Sequence, residues 1–186
     1  MSVVPRQLNI TSKGGWDVSV SQVIRETRKA QGLTQGELGL PITQQYLSMI
    51  ENGHRPLPAD LRPMVARTLD DWKVYTAVGL EATDGVGPTV LDGPNFVGYL
   101  SAIRERFYEE MQEAEHSIDG FSTSRPAESF DEKQRQQVRH AIEQVIDLEQ
   151  CCHTFVGELC KAFGFSIRQA YRDEHDKLRR KGLLVK

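Results

Sequence analysis

The sequence predicts an all-α protein, and three observations carry that prediction. Apolar residues return every three or four positions through most of the chain, which is the period of a helix face. Several of these segments open on Ser or Thr and close on Gly, Asn-Gly or Pro, the residues that cap and stop helices. No stretch qualifies as a strand candidate, and no internal repeat is present.

Residues 1–18 are polar, carry a Gly14-Gly15 pair and lack periodicity, so a flexible N-terminal arm is expected. From Ser19, the residues Val20, Val23, Ile24 and Thr27 recur at helical spacing until Gly32. Thr34 caps a short segment, TQGELG, with Glu37 three residues on as a capping box. Gly36 and Gly39 each weaken that segment by about 1 kcal/mol relative to alanine, and Pro41 ends it. Thr43 caps a third segment whose apolar contacts are Tyr46, Leu47 and Ile50, and Asn52-Gly53 closes it. A fourth begins in PLPADLRPMVARTLDDW, with Leu61, Val65 and Leu69 on one face and Pro63 in the first turn, where a missing N–H is tolerated. Residues 19–78 therefore read as one domain of short helices. The Gly- and Pro-rich stretch 79–95 reads as a linker.

Beyond it, Phe96, Leu100, Ile103, Phe107, Met111, Ala114 and Ile118 mark a long amphipathic helix. After the turn GFSTSRPAES, Val138, Ala141, Val145, Leu148, Cys152, Phe155, Leu159 and Ala162 alternate by three and four, a heptad seam. Such a seam serves equally as an antiparallel hairpin within one chain or as a dimer interface, with Val138, Val145, Leu148, Cys152, Phe155 and Leu159 as the dimerisation residues. Ser166 caps a last helix that Gly182 ends. Residues 96–186 are thus expected to be a helical dimerisation or effector domain.

Composition sets outer bounds. Hydrophobic residues make up 39% of the 186 and charged ones 26%, with 3 Cys, which suits a globular chain and not a disulfide scaffold. No apolar run approaches the roughly 20 residues of a membrane span, so no membrane partner is expected. The first fifteen residues lack the apolar core of a signal peptide. Three cysteines, two of them adjacent, fit a reducing compartment, and the cytoplasm is the expected location. Charge is uneven: residues 1–67 hold eight Lys and Arg against five Asp and Glu, residues 94–163 seven against thirteen, and residues 164–186 seven against three. That pattern allows a polyanion at one end and protein contacts in the acidic middle.

Helix, short helix, tight turn, and a further helix with a polar face is helix-turn-helix logic. The stretches VIRETRKAQGLTQGEL and ITQQYLSMIENGHR resemble the Cro/cI-type (XRE) helix-turn-helix family over about residues 19–70, through GLTQ-x-EL and IENG at nearly the family separation. The resemblance implies a lambda-repressor-like N-terminal domain, followed here by a C-terminal helical hairpin or bundle. It implies double-stranded DNA as partner, bound by a homodimer on a palindromic operator. Gln35 would clasp the DNA backbone from the start of the second helix. Thr43 to Ser48 would open the recognition helix, in which Gln44-Gln45 resembles the recognition helix of the phage 434 repressor. A glutamine amide both donates to and accepts from adenine, discriminating by roughly 1–3 kcal/mol. Ser48 and Met49 would follow one turn on, with Asn52, His54 and Arg55 at phosphates. Arg28 and Glu51 match a structural ion pair of the family. The segment between EL and the recognition helix is two residues shorter than the family pattern, so the second helix should lose about half a turn.

Other constellations compete. Cys151, Cys152, His153 and Cys160 invite a zinc site, but a helix points them apart, and no metal is expected. The C-terminal stretch from Phe155 faintly resembles the second helix-turn-helix of a winged-helix regulator, with Arg168, Arg172 and Arg179 as a basic stripe. Glu109, Glu110 and Glu113, with Glu143 and Asp147, resemble in part the magnesium site of MazG-type nucleotide pyrophosphohydrolases. The sequence therefore reads as a sequence-specific transcriptional regulator, a repressor, with no enzymatic activity and no cofactor. An antitoxin or antirepressor that acts through a protein partner is the alternative, the nucleotide hydrolase a weaker one. An unidentified protein or small-molecule effector remains open for the C-terminal half.

Overall fold

A computed structural model of the protein describes residues 19–122 and 124–185. The expected arm, residues 1–18, lies outside them. The described residues form α1 (Val20–Ala30), α2 (Gln44–Glu51), α3 (Arg62–Leu69), α4 (Trp72–Ala82), α5 (Leu100–Asp119), α6 (Glu132–Phe163) and α7 (Ile167–Arg180), with 3₁₀ turns at Gly36–Leu38 and Ala127–Ser129. The fold is all-α, and none of these helices is long and apolar enough to cross a membrane.

Helices α1 to α4 enclose one apolar core in which Ile24, Leu47, Ile50, Val65 and Val74 are almost fully buried. Each such side chain stabilises the fold by about 1.5–3 kcal/mol relative to exposure. Between α1 and α2 the expected second helix is a single 3₁₀ turn. Gly39, in the left-handed region at φ 60°, closes it after one turn, and the short loop to Thr43 leaves no room to extend it. Thr34 makes half of a capping box: its N–H and its hydroxyl both donate to Glu37 Oε2 at 2.7 Å. The Thr43 hydroxyl accepts from the Tyr46 N–H at 3.1 Å, and Gly53 at φ 74° ends α2.

Helix α4 serves two cores. Val74 and Ala77 pack in the first, whereas Trp72 joins Val90, Cys160 and Ile167 in a second, formed with α6 and α7. The helix runs on to Ala82, four residues past the boundary expected at 78. The middle of the remaining linker is anchored: Thr89 exchanges two hydrogen bonds of 2.6 Å with the Gln150 side chain, and Val90 is buried, while residues 83–87 and 92–95 are exposed.

Helix α5 starts at Leu100, not at Phe96, because Pro94 and Gly98 disfavour helix there and Phe96 closes a turn onto the Gly93 carbonyl at 2.9 Å. Helix α6 is one unbroken helix of 32 residues, about 48 Å long. Asp131 and Gln134 open it with a reciprocal capping box that the sequence reading passed over. Helices α5 and α6 pack as a hairpin through Ile103, Ala114, Ala141 and Cys151, with the Phe107 and Phe155 rings 5.8 Å apart. One flank of the heptad seam therefore meets α5 within the chain. On the other flank Ile142, Val145, Ile146 and Val156 stay 40–55% exposed.

Candidate nucleic-acid interface

The site is built on an ion pair. Arg28, in the last turn of α1, donates from Nε to Glu51 Oε1 at 2.6 Å and from Nη2 to Glu51 Oε2 at 2.9 Å. Its Nη1 reaches the Leu33 carbonyl at 2.6 Å, which ties the loop after α1 to both helices. Both side chains are buried. Burial alone would raise the Glu51 carboxyl. The hydrogen bonds from Arg28 and Gln35, with the nearby guanidinium charges, outweigh it and hold the carboxyl below its usual range. The hydrogen bond to Glu51 likewise raises the Arg28 guanidinium against the opposing effect of burial. Glu51 ends α2, so this pair sets the angle at which α2 leaves the domain.

Helix α2 turns Leu47 and Ile50 inward and leaves Gln44, Gln45, Ser48 and Met49 on its outer side, half or fully accessible. The spacing of 44, 45, 48 and 49 is that of one helix face. The two glutamines differ in setting. Gln44 folds back over the 3₁₀ turn, with its Nε2 only 2.7 Å from where a Cβ on Gly36 would stand. A side chain on Gly36 would displace the flexible tip of Gln44. Gln45 is exposed at the start of the helix.

Three of the sequence-predicted contacts sit in unexpected company. Gln35 donates from Nε2 to Glu51 Oε2 at 2.8 Å, so it belongs to the ion-pair cluster. Only one 3₁₀ turn follows it, too short to develop the end charge that a full helix offers a phosphate. Asn52 caps α2 by donating to the Ser48 carbonyl at 2.8 Å, while its Oδ1 accepts from Arg25 Nη1 at 3.1 Å. Its amide is therefore engaged at both ends. Ser48 in turn lies under that amide, its Oγ 3.3 Å from Asn52 Nδ2. His54 and Arg55 are exposed past the helix end, where both their backbone N–H groups donate to the Met49 carbonyl.

Arg25 is the residue that sequence reasoning missed. It lies on the solvent side of α1, and the fold brings it beside Asn52, 27 positions away. An exposed cation in α1 was the only signal in the sequence, and it does not say which surface the cation joins. With Arg25 and Arg55, the rim of the α2 face is positively charged.

The competing sites do not assemble. Among the described residues no group of three or more His, Cys, Asp or Glu side chains could hold a metal ion. Glu110 pairs with Arg106 at 3.1 Å. Cys151 and Cys160 are buried, and His153 Nε2 lies 2.6 Å from the Thr76 hydroxyl. At the second, C-terminal helix pair, Gly164 at φ 70° ends α6 and Ser166 caps α7, with no strand among the described residues after it.

The helix-turn-helix family profile matches residues 24–64, which run from within α1 to the first turn of α3. No curated protein and no solved structure matches the chain. The matched stretch contains the ion pair, the 3₁₀ turn and the outer face of α2. Residues 24–64 are thus a helix-turn-helix segment, and the match supports a DNA-binding regulator of the Cro/cI (XRE) type.

Proposed function

We propose that the protein is a repressor that binds a palindromic operator as a homodimer, with α2 as its recognition helix. The observation that carries this reading is the outer face of α2. Gln44, Gln45, Ser48 and Met49 stand clear of the core at the start of a capped helix, and an α-helix presented in this way fits the major groove. Gln45 reads a base edge, and Gln44 reads one after swinging off Gly36. Thr43 holds the start of the helix. Arg55, His54 and Arg25 contact phosphates that set register, and Asn52 positions Arg25 rather than reaching the backbone itself. Gln35 orients Glu51 and meets the backbone through what remains of its amide.

Dimerisation falls to α6. The exposed flank of the seam, with Val145 and the neighbouring Ile142, Ile146 and Val156, supports a contact between two copies alongside Val138, Cys152 and Leu159. Leu148 and Phe155 brace that surface from the hairpin side. Two copies would place their α2 helices in major grooves one turn, about 34–36 Å, apart or a multiple of it.

The test is a selection of random duplex DNA followed by gel-shift titration of the wild type and of Gln44→Ala/Gln45→Ala. The expected result is an enriched palindrome that the double variant no longer prefers, at roughly 1–3 kcal/mol per lost contact, with an unchanged circular dichroism spectrum. Equal operator preference in the double variant would sink the base-reading role.

A further inference from the structure

A cavity of about 500 Å³ lies between α4, α6, α7 and the segment that follows α4. Its volume is that of a small-molecule site. The walls are largely apolar, with Trp72, Tyr75, Leu80, Ile167 and Tyr171 among the residues that line them. The polar groups are few and convergent. The Thr76 hydroxyl donates to the Trp72 carbonyl at 2.8 Å, so the 2.6 Å bond to His153 has His153 Nε2–H as its donor. Tyr75 keeps a buried hydroxyl with no hydrogen-bond partner among the described residues.

The ionised side chains that line this cavity are basic, while the carboxylates of Asp70 and Glu149 stand outside the lining. Arg168, Arg172 and His175 all line it from α7, at a spacing that puts them on one helix face, and no carboxylate lines it. Neither guanidinium is in an ion pair among the described residues. An apolar, aromatic interior with two free guanidinium groups at its edge is complementary to a flat hydrophobic body that carries an anionic group.

We propose that this cavity is an effector site for a small aromatic carboxylate, its ring among Trp72, Tyr75 and Tyr171 and its carboxylate on Arg168 and Arg172. The site joins the two halves of the chain. Helix α4 gives its other face to the core beneath the DNA-binding surface, and α6 carries the exposed apolar flank assigned to dimerisation. A ligand held between α4 and α7 binds one arrangement of these helices better than others, and so shifts the spacing of two recognition helices. This coupling, though not the binding, rests on the regulator reading above.

The experiment uses full-length protein carrying Trp16→Phe, which leaves Trp72 as the single tryptophan. Titration with 2-naphthoate, by calorimetry and by Trp72 fluorescence, is expected to show one site per chain. The neutral 2-naphthamide should bind about tenfold more weakly or worse. Arg168→Gln/Arg172→Gln should abolish the preference for the acid and keep the amide binding. Gly79 also lines the cavity, and a Cβ there meets nothing within 4 Å, so Gly79→Leu should block both ligands without disturbing the fold. Absence of 2-naphthoate binding at millimolar concentration overturns the site, and equal binding of acid and amide overturns its charge selectivity. Gel shifts on the selected operator with and without 2-naphthoate decide the coupling: unchanged operator affinity overturns it. Failure to bind any DNA overturns the regulator reading and leaves the calorimetric result standing.

Discussion

Glu51 shows how much rests on one side chain in this protein. Its carboxylate accepts from Arg28 twice and from Gln35 once inside the domain. Removing it leaves a buried guanidinium without its counter-charge, the situation in which broken ion pairs cost about 3–5 kcal/mol. Glu51→Ala should therefore lose stability of that order in urea denaturation; a loss under 1 kcal/mol would mean that the pair is not structurally important. His153 is the second such residue. Burial pushes its imidazole below the ordinary 6.5, against the opposing pull of Glu149. Arg168, Arg172 and His175 line the same cavity from α7. The folded protein thus holds His153 neutral, while the unfolded chain takes up a proton near pH 6.5. The stabilisation is complete above that pH and is lost as pH falls through 6.5 and below. Thermal melts between pH 7.5 and 5.5 should show the wild type losing more stability than His153→Gln; parallel curves would remove His153 from the account. The position of Glu51 was legible from the family motif in the sequence. The role of His153 was not, because Thr76 lies 77 residues away.

At the scale of elements, the contact between α4 and α6 depends on the absence of a side chain. A Cβ on Gly157 would stand 2.2 Å from the Trp72 ring, and the Trp72 indole N–H donates to Glu158 at 3.2 Å. In an isolated helix Gly→Ala gains about 1 kcal/mol. Here the rigid, buried indole cannot move aside, and overpacking of this kind costs about 1–3 kcal/mol. Gly157→Ala should lower the melting temperature despite its better helix propensity. An unchanged or higher value would show that α4 and α6 are free to separate. The 3₁₀ turn between α1 and α2 is the opposite case, an element set by local chemistry. Two glycines, a proline and the shortened loop announced a truncated second helix, and a single turn is what forms. Helix α6 was legible in its periodicity over 138–162, yet its first turn rests on the Asp131–Gln134 capping box at the edge of a polar, unperiodic run.

For the whole molecule, the distribution of exposed apolar surface matters most. Within the α5–α6 hairpin, α6 keeps Ile142, Val145, Ile146 and Val156 at 40–55% exposure. If that flank joins two copies, Val145→Glu/Ile146→Glu should give a monomer in sedimentation equilibrium, with operator affinity reduced and the helical spectrum kept. A double variant that sediments as the wild type does would move the dimer contact elsewhere. The sequence by itself determined the all-α class, the helix-turn-helix motif and the polar face of α2, because helical periodicity, caps and motif spacing are written in near neighbours. Only the tertiary structure decided that one flank of the heptad seam meets α5 within the chain, that Gln35 and Asn52 are engaged internally, that Arg25 joins the α2 rim, and that α4 links two cores around an aromatic cavity. Those outcomes depend on side chains brought together across tens of residues, and a local pattern carries no record of which distant surface a given face will meet.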